Sequence, residues 1–438
     1  MHVTTVRLKW KSPHRAWWVA AVTALAIVVA GAFSTAPGIL QNPLRQEFTW
    51  SRGSIGLASS LNMVLYGLTA PYAAALMDRF GIRRVVLAAL GAVAVGAVLT
   101  TTVHAAWQFT LYWGFLVGLG TGSLSMTLGT TVTQRWFVHR RGLVTGVLSA
   151  GSVLGQMVFL PALSWTVDHH GWRPALVSLA LAALAVTPLV ALTLHDHPAG
   201  LGRRPYGSKV FVPRPAPVPG AARRTVAVLR AAARTGPFWL LAGAFAICGA
   251  STNGIMWTHF APAAHDHGMP VTTASSLLAA IGVFNVVGTV LSGWLTDRVD
   301  ARRLLAVCFV LRGLLLAGLP LIMTATVGPP MMAFVVLFGL LDLATVPPVV
   351  ALCRAFYGED AALVFGWAGA AHQVGAALAS FLGGAARDAL GSYGPVWLVL
   401  GAACAAAAVL SLVVPPAGPA TAPAAPKAPA SVATACRG

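Results

Sequence analysis

Charged residues are scarce in this chain, and acidic residues are the scarcest. Only 9% of its 438 residues are charged, with 11 Asp and Glu against 29 Lys and Arg. A soluble domain carries roughly 25% charged residues, so this composition excludes an ordinary soluble protein. Hydrophobic residues make up 57% of the chain. The composition is therefore that of a protein embedded in a membrane.

Sequence patterns for a metal, a disulfide framework or a nucleotide are also lacking. None of the five cysteines has a spacing typical of a metal site or disulfide framework. Histidine pairs at 169–170, 195/197 and 265/267 have no third and fourth ligand at suitable spacing. No Gly-x-x-x-x-Gly-Lys-Ser/Thr loop is present. We expect no metal and no cofactor, and an ion or substrate gradient as the energy source.

Long apolar runs take up most of the chain instead. A helix needs about 20 apolar residues to cross the ~30 Å hydrocarbon core of a bilayer. The first run follows four basic residues, as in a signal peptide, but further spans follow it, so we interpret it as an uncleaved first helix. Twelve runs are long enough, at 16–40, 53–77, 83–103, 107–130, 142–164, 172–194, 237–260, 272–296, 302–325, 329–353, 361–385 and 393–414.

The net charge of +18 is distributed unevenly between the connections of these spans. If the N-terminus is cytoplasmic, 24 of the 29 Lys and Arg residues lie on the cytoplasmic side. This asymmetry is the positive-inside pattern. It predicts an integral protein of the cell (inner) membrane with both termini cytoplasmic, and it argues against a nucleic-acid partner.

A charged turn occurs once in each half of the chain. The segment 78–84, Asp-Arg-Phe-Gly-Ile-Arg-Arg, is echoed 219 residues later by 297–303, Asp-Arg-Val-Asp-Ala-Arg-Arg. Further landmarks keep nearly the same register, among them Gly155 with Gly375 and Asp168 with Asp388. The repeat predicts an all-α membrane protein made of two six-helix, pseudo-symmetric halves.

The connections between and beyond the halves differ in composition from the spans. The middle connection is rich in Pro and Arg, which predicts an extended linker, with a basic surface helix at 221–234. The Pro/Ala-rich tail is typical of disorder. The predicted units are an N-terminal arm (1–15), a six-helix bundle (16–194), the linker (195–236), a second bundle (237–414) and a disordered tail (415–438).

The span count, the basic middle loop and the doubled Asp-Arg turn resemble the major facilitator superfamily over about residues 16–414. The resemblance implies a secondary transporter, active as a monomer in the lipid bilayer, whose halves rock about a central site. It also implies that the two turns act as a gate at the cytoplasmic ends of spans 2 and 8. The gating candidates are Asp78, Arg79, Arg83, Arg84, Asp297, Arg298, Arg302 and Arg303.

Ionisable residues inside the spans are few, and each costs roughly 2.5–3.5 kcal/mol or more near the bilayer centre. Asp342 is the only acid well inside any span, which makes it the leading candidate for a proton carrier. Arg312 lies near the middle of span 9, and the two residues could instead neutralise each other as a structural pair. His372, next to Gln373, could bind an anion, shuttle a proton or simply pack.

Polar residues on other spans complete the candidate site. We select Asn62, Tyr66, Asn253 and Asn285 as possible contacts for a substrate. Pro37 could unwind the end of span 1, and Pro347-Pro348 could break span 10 just past Asp342. Glycines repeated every fourth residue in spans 4 and 5 indicate close helix packing.

The segments 48–51 and 135–142 resemble the monocarboxylate and oxalate/formate branches of the superfamily. This resemblance implies a small organic anion as substrate, with a proton. Those branches usually carry a cation in span 8, where this chain has none, so Arg312 or His372 would have to replace it. An efflux pump for apolar or cationic compounds is the alternative. A membrane enzyme or receptor would need a catalytic cluster or a large extramembrane domain, and the sequence shows neither.

Overall fold

The computed structural model describes residues 14–213 and 220–416, which are almost entirely helical. Twelve long helices, named α1–α12, correspond one for one to the predicted spans, and they form two groups of six. The first group is α1 Arg15–Phe48, α2 Arg52–Phe80, α3 Ile82–Thr100, α4 Ala106–Trp136, α5 Arg141–His170 and α6 Trp172–Thr193. This arrangement confirms the predicted fold class.

Helix α4 contains a π-helical stretch, Thr110–Val117, and is interrupted at residues 124–125. Two helices of the second group are interrupted as well. Helix α7 has three segments, Gly236–Gly249, the π-helical Ala250–Gly254 and Met256–Asp266, and α10 has two, Pro329–Asp342 and Val346–Tyr357. The others are α8 Val271–Thr296, α9 Ala301–Ile322, α11 Ala361–Leu390 and α12 Gly394–Val413.

By length and composition alone, nine helices within the described ranges could cross a membrane, or ten if one pair bent by 102° counts as a span. Helices α2 and α5 are not among the nine, and both contain several Gly, Ser and Thr residues. Both lie between the two halves, where α2 packs on α11 and α5 on α8. A helix that is surrounded by other helices is enriched in small residues, because these let the helix backbones approach closely.

The glycine-rich faces allow these helices to approach closely. A methyl group on Gly118 of α4 would lie 2.9 Å from the Cα atom of Asn62 in α2, and one on Gly155 of α5 would clash with the carbonyl oxygen of Val28 in α1. These two contacts confirm that glycines of spans 4 and 5 serve packing.

Helix α1 departs from its predicted end. It runs without a break to Phe48 and includes Pro37, so the prediction that Pro37 unwinds it is wrong. A proline removes a single main-chain hydrogen bond, and the neighbouring helices support the rest of the turn. Here α7 packs closely, since a methyl group on Gly38 would lie 3.0 Å from the Trp257 carbonyl oxygen.

The first part of the linker also differs from the predicted extended chain, because residues 194–213 fold back onto the first six-helix group. The Tyr206 amide donates to the Trp136 carbonyl (2.8 Å), and the indole of Trp136 donates to the His195 carbonyl (3.2 Å). Asp196 accepts from the Arg83 amide at the start of α3 (3.1 Å). A carboxylate at a helix N-terminus satisfies amides that have no partner within the helix, which fixes this segment despite its prolines.

The predicted basic helix forms at Ala221–Ala232 and is called the linker helix below. It packs on α11 and α2, with Val228 and Ala232 buried. Trp367 of α11 donates to the Thr225 carbonyl (3.0 Å), and Arg224 pairs with Asp360 (3.2 Å). The predicted tail and N-terminal arm lie almost wholly outside the described residues.

Candidate transport site

Helix α10 breaks in the interior of the second group. Its first segment ends at Asp342, residues 343–345 are not helical, and Pro347 and Pro348 open the next segment. Proline suits the first turn of a helix because it has no amide hydrogen to leave unpaired. The break predicted from these prolines is confirmed.

A break inside a bundle exposes main-chain groups, and two side chains of α8 satisfy part of them. The Leu343 amide donates to the Asn285 side-chain oxygen (2.9 Å), and the Ser292 hydroxyl donates to the Ala344 carbonyl. Helix α8 comes this close because Gly288 faces Leu340, where a methyl group would clash with the carbonyl oxygen. These main-chain groups at the break therefore have specific side-chain partners on α8.

The Asp342 side chain lies at this break and is only 2% exposed. One carboxylate oxygen, Oδ2, accepts from the Asn285 amide nitrogen (2.7 Å) and from the Trp257 indole (3.4 Å). The other oxygen, Oδ1, is buried and has no hydrogen-bond partner among the described residues. Trp257 lies where α7 meets α1, so Asp342 lies near the contact between the two halves.

Arg312 of α9 is completely buried beside the same break. Its Nη2 donates to the main-chain carbonyls of Leu341 and Asp342, at 2.5 and 2.7 Å. Its Nη1 donates to the Cys248 sulfur (3.1 Å) and contacts the Ser251 hydroxyl (3.4 Å), both on α7. Arg312 therefore caps the C-terminal end of the first α10 segment, where the carbonyls carry partial negative charge.

Arg312 and the Asp342 carboxylate form no ion pair among those of the described residues. The suggested neutral pair is thus replaced by bonds from the guanidinium to the main chain of the same aspartate. The sequence pattern did not single out Cys248 or Ser251. Their spacing could have indicated them, because residues three positions apart lie on the same face of a helix and contact the same neighbour.

Some of the other candidates lie near this cluster, and others lie where the two halves meet. His372 of α11 packs against α7 beside Cys248, with its ring 4.9 Å from that of Phe245 and its main chain against Gly249. Asn253 belongs to the π-helical segment of α7, the segment that also holds Ser251. Gln373 instead packs against α2, where a methyl group on Gly67 would lie 2.7 Å from its Cβ.

Asn62 and Tyr66 lie on the α2 face that packs on α4. The Asn62 amide donates to the Trp113 carbonyl (3.0 Å), inside a π-helical stretch of α4 at Thr110–Val117. A π-helical turn leaves carbonyls without their usual partner, and Asn62 supplies one. The structure therefore brings Asp342, Arg312 and Asn285 together and keeps Asn62 apart from them.

The basic end of the bundle is the end that carries the turns 78–84 and 297–303. In the first turn, Asp78 forms an ion pair with Arg135 at the end of α4. Arg135 also donates to the Asp196 carbonyl (3.3 Å). Gly81 has φ +89°, and a methyl group there would clash with the Asp196 carboxylate, so the tight turn requires glycine. All of these contacts of the first turn lie within the first half of the protein and its linker segment.

The arginines of the first turn have separate surroundings. Arg79 lies over the Phe80 ring, with its guanidinium carbon 5.1 Å from the ring centre. The Arg83 side chain is exposed, although its amide is held by Asp196. Arg84 lines a groove of about 400 Å³ between α2, α3 and α4. Within the described part of the chain, none of them has a recorded ion pair.

The second turn is more open than the first. Asp297 is exposed and has no recorded ion pair within the described part of the chain, and Arg298 stacks on Trp294 at 4.0 Å. Arg302 bonds Asp300 and the Val414 carbonyl (3.0 Å), and its guanidinium keeps the pKa of the Asp300 carboxyl below its usual range. Arg303 is exposed.

A charged network that the sequence did not predict joins the two halves at the opposite end. Arg52, at the start of α2, pairs with Asp266 (3.5 Å) and Asp388 (3.2 Å), and Arg387 pairs with Asp266 (2.7 Å). The Arg52 amide also donates to the Asp388 carboxylate (2.7 Å). The Arg52 side chain is only 7% exposed, so its charge is largely shielded from solvent where the two halves meet. These four residues are called the opposite-end network below.

Tyr393, in the loop before α12, extends the network. Its hydroxyl lies 3.2 Å from Nδ1 of His259 and donates to the Gln41 side chain of α1 (3.4 Å). Burial raises the pKa of the Tyr393 hydroxyl, so it remains a neutral hydrogen-bonding group. Of these residues, the repeat analysis had noticed only Asp388, as the counterpart of Asp168.

Comparison with known proteins decides the family. A profile described as Major Facilitator Superfamily matches residues 22–262 and 249–437. The chain belongs to the major facilitator superfamily. Members of this superfamily are membrane carriers rather than enzymes, so the chain is a multi-pass membrane protein for secondary transport.

Named relatives lie near the branch expected from the sequence. Monocarboxylate transporter 13 of Bos taurus is 26% identical over 78% of this chain and 76% of its own length. Monocarboxylate transporter 11 of Mus musculus is 28% identical over 75% of this chain and 71% of its own length. The gallate transporter of Pseudomonas putida is 24% identical, covering 69% of this chain and 70% of its own.

Solved structures agree on the fold. The crystal structure of a D-xylose–proton symporter superposes with a TM-score of 0.72 at 15% identity, covering 92% of this chain and 99% of that one. At this identity the likeness shows a shared fold and nothing finer. The family profile and the named relatives together confirm the predicted superfamily and a position near its monocarboxylate branch.

Proposed function

We propose that this superfamily member carries a small organic anion of the monocarboxylate type together with a proton, by alternating access. One observation supports the proposal most: a buried carboxyl group, Asp342, lies at a helix break, and one of its oxygens has no hydrogen-bond partner among residues 14–213 and 220–416. A buried carboxyl group inside a bilayer is costly and is typically part of a proton path. Its position near the contact between halves suits a group that meets each side in turn.

Arg312 supplies the positive charge that an anion needs. The guanidinium remains charged at any physiological pH. It would replace the cation of span 8 that this branch usually carries, since the corresponding helix here has no basic residue and places Asn285 beside Asp342. His372, which packs against Gly249 of α7, is the second cationic candidate.

The named relatives support a carboxylate as the transported group. Two are monocarboxylate transporters and a third is a gallate transporter, and gallate is itself a carboxylate. Their substrates differ in size, so the shared chemistry is the carboxylate rather than the rest of the molecule. We extend this class to the present chain on the basis of the Arg312 and Asp342 cluster.

We place the basic end on the cytoplasmic side of the cell (inner) membrane, with the protein acting as a monomer. The excess of Arg at this end supports the orientation. The gate would then comprise the two turns: Asp78 with Arg79, Arg83 and Arg84, and Asp297 with Arg298, Arg302 and Arg303. In the present conformation neither turn bridges the two halves through a recorded ion pair of the described residues, whereas the opposite-end network does.

Uptake of labelled acids into proteoliposomes tests the proposal. A panel of monocarboxylates and gallate would be offered with the outside acidic relative to the inside, and again with equal pH on both sides. We expect uptake of at least one acid, accelerated by the pH gradient and abolished by a protonophore. Uptake that ignores the gradient would contradict proton coupling.

The efflux alternative rests on the same carboxyl group, because Asp342 beside the Trp257 ring could attract an organic cation. Dye-loaded proteoliposomes separate the two readings. Proton-driven movement of a cationic dye, without movement of any acid on the panel, would replace the anion proposal with efflux.

A further inference from the structure

The buried Arg312 lies beside an acid and yet bonds to that acid's main chain. Its Nη2 is 2.7 Å from the Asp342 carbonyl oxygen, while the carboxylate of the same residue takes its hydrogen bonds from Asn285 and Trp257. In a low-dielectric interior, an ionised carboxylate attracts a neighbouring guanidinium more strongly than a neutral carbonyl does. The observed pairing is therefore the one expected when Asp342 carries a proton.

Two unpartnered atoms agree with this interpretation. Oδ1 of Asp342 and Nε of Arg312 are both buried without a hydrogen-bond partner among the described residues. A neutral carboxyl group tolerates an unpaired oxygen far better than a buried carboxylate does. The unpaired Nε leaves the guanidinium with a free donor for a second arrangement.

The carbonyls that Arg312 caps hold the end of the first α10 segment. Leu341 and Asp342 are its last residues, and their carbonyls have no helical partner because residues 343–345 are not helical. Removing the cap would leave these carbonyls unsatisfied in a dry environment. The end of the segment would then loosen.

We propose that Arg312 is a positioning residue that links the protonation of Asp342 to the conformation of the α10 break. When Asp342 is protonated, Arg312 caps the carbonyls of residues 341 and 342 and the segment end is rigid. When Asp342 loses its proton, Arg312 turns to the carboxylate and the segment end is released. Arg312 remains charged in both states, so the proton alone selects its partner.

Other titratable groups face the cluster and enter the test as alternatives. They are Cys248 of α7, Cys308 of α9, His372 of α11 and Cys404 of α12. Histidine is the residue type among these that most often acts as a proton switch. His372 is therefore the group chosen for the control.

Amide hydrogen exchange of residues 338–345 tests the proposal on the full chain in lipid, without any substrate. After correction for the intrinsic effect of pH on exchange, we expect protection to fall several-fold from acidic to alkaline pH in the wild type. In Asp342→Asn, which keeps the shape of the neutral side chain, protection should stay high at every pH. Arg312→Met should exchange fast at every pH.

His372→Gln is the matched control and should respond to pH as the wild type does. The proposal would be overturned if protection in the wild type did not change with pH. It would also be overturned if protection in Asp342→Asn fell with rising pH as much as in the wild type. Loss of the response in His372→Gln would overturn it as well. Asp342→Asn decides the question even if Arg312→Met does not fold. The proposal rests on the proton role of Asp342, but its test involves no transport, so it can fail independently of the proposed substrate.

Discussion

The two six-helix groups share a sequence repeat but place their charged residues differently. In the first, polar side chains such as Asn62 serve main-chain groups, and the charged turn is closed by Asp78 and Arg135. In the second, Asp342 and Arg312 are buried at a broken helix, while the corresponding turn leaves Asp297 exposed. The first half therefore has the firmer basic end, and the second half holds the buried ionisable residues of the candidate site.

The same comparison shows what the halves have in common. Gly155 in α5 and Gly375 in α11 occupy equivalent positions, and each lies against a main-chain carbonyl, of Val28 and Ala246 respectively. Packing of the helices is thus the conserved part of the repeat within this chain, and charge placement is the divergent part. The predictions below test this division, from the largest expected effect to the smallest.

Replacing either packing glycine should have the largest effect. Gly155→Leu and Gly375→Leu would each push two helices apart, because even a methyl group would clash with the facing carbonyl. We expect both variants to lose folded, monodisperse protein in detergent. Gly366→Ala is the matched control, since nothing lies within 4 Å of its added carbon. If Gly375→Leu still gives folded protein, the two glycines do not have equivalent packing roles in the two halves.

Removing the buried guanidinium should have the next largest effect. Arg312→Met leaves the carbonyls of residues 341 and 342 without their donor, and hydrogen bonds to a charged group contribute about 1.5–3 kcal/mol each. We expect a clear fall in the thermal unfolding midpoint of the purified protein. Arg303→Met, an exposed change on the same helix, should leave the midpoint unchanged. Equal midpoints for the two variants would refute the capping role.

The two turns should respond unequally to the same neutral substitution. Asp78→Asn removes the ion pair with Arg135, whereas Asp297→Asn removes an exposed carboxylate without a recorded ion-pair partner in the described chain. Initial rates of substrate uptake should fall several-fold in Asp78→Asn and change little in Asp297→Asn. The reverse ranking would show that the second turn is the more important gate.

The opposite-end network should give the smallest effect on stability but a measurable one on access. Arg52→Gln removes two ion pairs between the halves. In a Gln41→Cys background, we expect faster reaction with a membrane-impermeant thiol reagent added from that side, because Gln41 is 1% exposed while the halves are joined. Arg173→Gln is the control, since Arg173 pairs with Glu47 within one half. Similar rates in both variants would show that this network does not close the end.

The sequence alone was sufficient for the helices and for part of the site. Hydrophobic length predicted the spans, Pro347-Pro348 predicted the break, and the rarity of acids led to Asp342. It could not show that Arg312 bonds to main-chain carbonyls, because that choice depends on how α9 lies against α10. It also missed Arg52 with Asp388, since residues 336 positions apart along the chain meet only through the packing of α2 on α11. Proline content likewise gave no sign that Asp196 would anchor the linker.

Measuring proton movement with the Asp342→Asn variant tests most directly the claim that Asp342 carries the transported proton. Proteoliposomes holding a pH-sensitive dye would be given a transported acid, and proton entry would be compared with exchange of labelled acid across the same membrane. We predict that the variant still exchanges acid but no longer couples net uptake to proton entry. Asp168→Asn, an exposed acid outside both turns and outside the opposite-end network, should behave as the wild type. Proton-coupled uptake at the wild-type rate in Asp342→Asn would contradict the assignment of the proton path to the second half.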